Sequence, residues 1–234
     1  GNILTYLRNG TSVPPPSGGV GGGGGLSMDN MQYGYNKDAN GNLANNKLRH
    51  VKDAVGNANY TEDIDNQSDD NYTYDAIGNL IKDNAEKITN IEWSVYGKIL
   101  SIIKTATVTG DVSKITYTYD AAGNRISKKV EKLGQPDKYT TYVRDASGNT
   151  MAVYDDEGNN IGNNTLYLAE QHLYGSSRLG VWNRKINMDA TPTNAGVANL
   201  LGPTYSTIFE RGNKFFELSN HLGNVLVTVS DKKL

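Results

Sequence analysis

The chain has 234 residues with 26 Gly and 15 Tyr but only three Phe and two Trp, a composition poor in the side chains that build one large apolar core. Its net charge of −2 is spread over both signs with no Lys- or Arg-rich stripe, which argues against a nucleic-acid partner. The absence of Cys excludes disulfides and thiolate metal sites, and no apolar run of 18 residues predicts a membrane-spanning helix.

In chain order, residues 1–9 read as the end of a preceding hairpin, since Gly1-Asn2-Ile3-Leu4 begins in mid-pattern. Residues 10–27 combine Val13-Pro14-Pro15-Pro16 with Gly21 to Gly25, a stretch that predicts a surface loop. A glycine-rich phosphate cradle requires a following Lys-Ser or Lys-Thr and a helix, and neither is present.

Residues 28–182 carry an internal repeat. Tyr72-Thr73-Tyr74-Asp75-Ala76-Ile77-Gly78-Asn79 recurs as Tyr117-Thr118-Tyr119-Asp120-Ala121-Ala122-Gly123-Asn124. Looser copies run Asp38 to Gly41-Asn42, Asp53 to Gly56-Asn57, Asp145 to Gly148-Asn149, Asp155 to Gly158-Asn159 and Asn220 to Gly223-Asn224. Each copy reads as a β-hairpin. Ile115 to Tyr119 alternates apolar and polar residues as a half-buried strand does, and Arg125 to Val130 returns as its partner. Between them Asp120 closes an Asx-type turn, Gly123 supplies positive φ, and Asn124 is the residue type that best tolerates the left-handed region after glycine. A spacing of about 20 residues corresponds to two strands and two turns. The interval from Gly78 to Gly123 is 45 residues and is split by Trp93-Ser94-Val95-Tyr96-Gly97. Tyr72, Tyr74, Tyr117, Tyr119 and Trp93 are the repeat aromatics, expected to pack the hairpins together.

The acidic stretch 59–71 fails as a calcium loop. Counting from Asp63, the positions that need Gly and Glu hold Ser68 and Tyr74. Residues 183–214 predict an irregular insertion punctuated by Pro192 and Gly202-Pro203, and 215–234 a last hairpin of the repeat type. His50, His172 and His221 show no metal-ligand spacing, and Ser219 near His221 lacks a nucleophile elbow. No catalytic residue, metal or cofactor is expected.

Tyr-x-Tyr-Asp-x-x-Gly-Asn at this spacing resembles the Rhs or YD repeats of bacterial polymorphic toxins, insecticidal toxin complexes and teneurins. Asn46 to Val51, Glu170 to Gly180 and Phe216 to Leu226 are similar to Bacteroidetes members, in the region before the Rhs-associated core domain. The resemblance implies an all-β fold, a continuous coiled ribbon of antiparallel hairpins forming part of a hollow shell. It implies a secreted or cell-surface protein whose partners are the rest of its own chain, an enclosed C-terminal toxin and an outer-membrane apparatus such as type IX secretion. No Pro follows Asp in this chain, so the self-cleaving core of toxin members is not assigned here. A rival reading is a carbohydrate-binding or adhesive surface, with Tyr and Trp stacking on sugar rings. Free strand edges in an excerpt of such a ribbon predict dependence on neighbouring repeats or a β-augmenting partner.

Overall fold

The computed structural model describes residues 2–9, 27–56, 64, 66–156, 165–188 and 211–232. The loop expected before Ser27, Asn57, Gly158, Asn159 and most of the expected insertion lie outside these residues.

The described chain is all-β, as expected, with antiparallel pairing and no helix. Strands β1 (Thr5–Asn9), β2 (Ser27–Lys37) and β3 (Leu43–Asp53) form one sheet in that order. A second sheet follows chain order through β4 (Tyr72–Tyr74), β5 (Leu80–Asp83), β6 (Ile88–Trp93), β7 (Ile99–Lys104), β8 (Val112–Tyr119) and β9 (Arg125–Lys132). It continues with β10 (Lys138–Arg144), β11 (Thr150–Asp155), β12 (Tyr167–Tyr174), β13 (Arg178–Asn187), β14 (Lys214–Ser219) and β15 (Val225–Ser230). No strand crosses over another. Local hairpin connections are the topology that short turns every eight to ten residues dictate.

Two compact units divide the chain. One holds Gly1–Trp93 with Ile102–Thr105, and the other Ser94–Ser101 with Ala106–Leu234. In the first, Met31, Val51 and Ile91 are the buried apolar side chains, accompanied by Asp29, Asp53 and Asn71. In the second, among the described residues, the buried hydrophobic side chain is Val153, and Ser101, Thr140 and Asp156 are buried polar residues. Half-buried strands with almost no dry core are what a Tyr-rich, Leu-poor composition produces. Such a design leans on hydrogen bonds to hold hairpin to hairpin.

Regular structure reaches further than the sequence suggests at one place. Strand β13 runs to Asn187, so residues 183–187 are strand rather than the start of an irregular insertion. Tyr167↔Asn187 and Leu168↔Ile186 pair across to β12 and hold that extension.

Candidate functional site

Six hairpin tips share one geometry. They begin at Asp38, Asp75, Ser94, Asp120, Asp145 and Asn220. In each, the amide of the first residue donates to the carbonyl of the fifth at 2.8–3.0 Å, and the glycine amide donates to the first residue's carbonyl at 3.0–3.2 Å. The glycines Gly41, Gly78, Gly97, Gly123, Gly148 and Gly223 take φ between 70° and 101°. A register shift falls just before the tip, as between Thr73 and Tyr74 or Thr118 and Tyr119. This is a type I turn followed by a glycine bulge, the three-residue solution for twisted hairpins.

The side chain of the first residue completes the turn. Asp75 Oδ1 accepts the amides of Ile77, Gly78 and Asn79 at 2.8–3.0 Å. Asp38, Asp120, Asp145 and Asn220 make the same contact to the fifth residue, and Ser94 Oγ accepts from Tyr96 and Lys98. The Asn at the fifth position has a different role from the one expected. Among the described residues no turn Asn has positive φ; the Nδ2 groups of Asn79, Asn124 and Asn149 instead donate to Oδ2 of their own Asp at 2.8–3.1 Å. Glycine alone absorbs the left-handed conformation, and asparagine ties down the second carboxylate oxygen.

Two of the looser copies belong to the opposite end of the hairpins. Asp53 is buried at the end of β3, where its Oδ1 accepts the Asn30 amide at 2.7 Å, and Gly56 lacks positive φ. Asp156 likewise accepts the Tyr139 amide at 2.8 Å while its own amide donates to the Tyr139 carbonyl. Asp231 repeats this with Lys214. Asp53, Gly56, Asp155 and Asp156 therefore stand at bases rather than tips. Tips and bases alternate along a chain of hairpins, and a strand of six to eleven residues separates Asp53 and Asp156 from the tip before each. Conversely, the segment that splits the 45-residue interval is a tip of the same geometry, with Ser94 and Lys98 where Asp and Asn stand elsewhere.

The last residue of several ingoing strands reaches sideways, Trp93, Tyr119 and Arg144 just before a tip and Tyr174 before the Gly175–Ser177 turn. Trp93 Nε1 donates to the Leu80 carbonyl (2.8 Å), Tyr119 Oη to Ile99 (2.8 Å), Arg144 Nε to Arg125 (3.0 Å) and Tyr174 Oη to Thr150 (2.9 Å). In every case the last residue of one ingoing strand bonds the first residue of the previous outgoing strand. Tyr74 does the same to Leu48, further along β3. The acceptors are available because the ladder between neighbouring hairpins stops short of the tips. The β9–β10 ladder ends at Ser127↔Thr141, β11–β12 at Ala152↔Gln171, and β5–β6 pairs only at Asp83↔Ile88. A long polar side chain bridges the gap that strand twist opens. The Tyr-Asp dipeptide thus divides labour: Tyr fastens a hairpin to its predecessor and Asp closes the tip. Of the other repeat aromatics, Tyr72 accepts from Gln67 Nε2 at 2.9 Å and Tyr117 lies under the Arg125 guanidinium.

Tyr119→Phe is expected to leave the Ile99 carbonyl without its donor and to cost about 0.5–1 kcal/mol, the low end because water reaches this half-buried site. Urea melts of Tyr119→Phe and Tyr174→Phe check it; stabilities equal to the wild type would sink the fastening role.

The tips also set an acid response. Hydrogen bonds from Asn42 lower the Asp38 pKa, those from Asn124 lower Asp120 and those from Asn149 lower Asp145. At Asp75 burial opposes the shift, but the bonds from Asn79 and its neighbours win and the value is again lowered. A carboxylate with a folded pKa below its unfolded value stabilises the fold above about pH 4, and that contribution fades as pH falls through the folded value. Amide exchange at these four tips is expected to accelerate below pH 4 relative to the Asn220 tip, which is clamped by a carboxamide rather than a carboxylate. Uniform acceleration at all of them would refute the assignment.

The described residues hold no group of three or more His, Cys, Asp or Glu arranged for a metal ion. The His50 ring packs flat on Gly34, His221 lies within a tip, and His172 stands 3.4 Å from Glu170. Among the described residues no helix is long and apolar enough to cross a membrane. No family model and no curated protein matches the chain.

Proposed function

We propose that this chain is structural: part of the β-shell of a secreted or cell-surface Rhs/YD-repeat protein that encloses and delivers a C-terminal toxin. The observation that carries the reading is the fastening side chain, recurring at Trp93, Tyr119, Arg144 and Tyr174, the first three directly ahead of a tip. The polar groups of tip and fastener are committed to turns and to the neighbouring hairpin. Each hairpin offers the next an edge and a free carbonyl, so the arrangement extends by addition, and a coiled ribbon of such units can wall off a volume. Its remaining partners in this reading are the rest of its own chain and an outer-membrane export apparatus.

Limited proteolysis of the full-length parent, read by mass spectrometry, tests the proposal. A resistant repeat region that retains a separate C-terminal segment is the expected result. A resistant region that retains nothing, in a parent that binds cells or glycans, would replace the shell reading with an adhesive one. That second reading has its own support in exposed rings such as Tyr96.

A further inference from the structure

One half-buried arginine in the second unit has a donor without an acceptor. Arg125 opens β9, and its carbonyl is taken by Arg144. Its guanidinium lies 4.2 Å from the centre of the Tyr117 ring, and its Nε is shielded from solvent without a hydrogen-bond acceptor. Shielded donors are nearly always satisfied in native proteins, so an orphan of this kind calls for an explanation. Arg125 faces a cavity of about 460 Å³ lined also by Lys98, Tyr142, Arg144, Glu170 and His172.

The other lining groups do not supply the acceptor. Glu170, the one carboxylate, stands 3.4 Å from His172. Arg144 commits Nε and Nη1 to the carbonyls of Arg125 and Gly148. The Lys98 ammonium has no hydrogen bond or ion pair among the described residues. Three cations therefore meet one engaged carboxylate around this open hollow. The planar fork of arginine matches a carboxylate with two parallel hydrogen bonds.

A second hollow shares Lys98 and Tyr119 with this cavity and adds Tyr96, Leu100 and Tyr117. Tyr96 is 87 % exposed, an open ring beside the cationic recess. An aromatic face next to a carboxylate-binding fork suits a ligand that carries its carboxylate on a ring. We propose that the cavity binds a carboxylated sugar of the uronate type, with Arg125 and Lys98 holding the carboxylate and Tyr96 bordering the sugar ring. The assignment does not depend on whether the repeats enclose a cargo.

Calorimetric titration of the full chain with a galacturonic acid trisaccharide is expected to show saturable binding, and titration with neutral maltotriose none. Arg125→Gln should weaken binding about tenfold, the scale of one charge-assisted pair. Arg184→Gln, which removes a guanidinium stacked on Trp182 outside the cavity, should leave it unchanged. Should Arg125→Gln melt well below the wild type, Lys98→Met carries the test with the same expected weakening. Absence of saturable binding, equal binding of maltotriose, or unaltered affinity in the cavity variants would overturn the proposal. A Gly-Glu-Gly peptide binding as tightly as the trisaccharide would overturn the sugar assignment.

Discussion

Gly180→Ala is expected to detach the β14–β15 hairpin from β13 while leaving β8 to β11 folded. A Cβ on Gly180 would overlap the Phe215 carbonyl oxygen, and it would lie 2.9 Å from the Phe215 carbonyl carbon and 3.0 Å from Phe216 Cα. These are backbone atoms, so no rotamer change relieves the overlap; β14 itself must move. The strand has little to hold it in place. The pairs Gly180↔Phe216, Val181↔Phe215 and Trp182↔Lys214 join β13 to β14, with the Arg178–Glu217 ion pair, the Lys214 ammonium over the Trp182 ring and the bond from Asn183 to Asn213 beside them. Glycine within a strand marks a close backbone approach, and overpacking one typically costs about 1–3 kcal/mol. The upper figure applies here because the clash is with main chain. Hydrogen exchange is the direct measurement: amides of Lys214 to Ser230 should lose protection and those of Val112 to Tyr119 should keep it. Retained protection in β14 and β15 would show that the sheet absorbs the methyl group.

The position of Gly180 was not legible in the sequence, and the reason separates what was legible from what was not. Tips were readable because their requirements are local: a carboxylate, a positive φ and a carboxamide within five residues, as at Asp120, Gly123 and Asn124. The all-β class followed from the same signal. Fasteners were half readable. Tyr119 and Trp93 stood out as aromatics, but Arg144 did so only after its Nε was seen on the Arg125 carbonyl. What the three side chains share is reach and a terminal donor, not hydrophobicity. Bases were unreadable because their turns share no sequence. Asn84 to Lys87 closes one and Lys132 to Gln135 another, while the Asp that clamps a base imitates the Asp that opens a tip. Only pairing partners distinguish Asp53 or Asp156 from Asp75. The cavity at Arg125 depends on residues from β9, β10 and β12 arriving together, which no local pattern announces.

Asn71 is the base residue whose loss should cost most. Its side chain is fully buried, its Nδ2 donates to Asp83 Oδ1 at 2.9 Å, and its Oδ1 accepts the Ala85 amide at 2.7 Å. Its carbonyl also receives the Asn84 amide, and Asp83 Oδ1 receives that of Glu86, so one carboxamide organises the whole turn between β5 and β6. That turn holds Lys87 at a φ of 55°, a strained value for a non-glycine residue that persists only while its surroundings enforce it. Asn71→Ala removes both side-chain bonds and strands a donor and an acceptor out of water, an expected loss of roughly 2–4 kcal/mol. Asn71→Asp tests the same geometry through charge. It keeps an acceptor for Ala85 but sets a carboxylate against Asp83, and two carboxylates sharing a site raise the pKa of one of them. A raised acid pKa destabilises the fold at neutral pH and relents as pH falls. Relative to wild type, Asn71→Asp should therefore recover stability between pH 7 and pH 4, whereas Asn71→Ala should not. Urea melts at the two pH values decide the matter: parallel pH dependence in both variants would mean that the Asn71–Asp83 contact does not hold this turn.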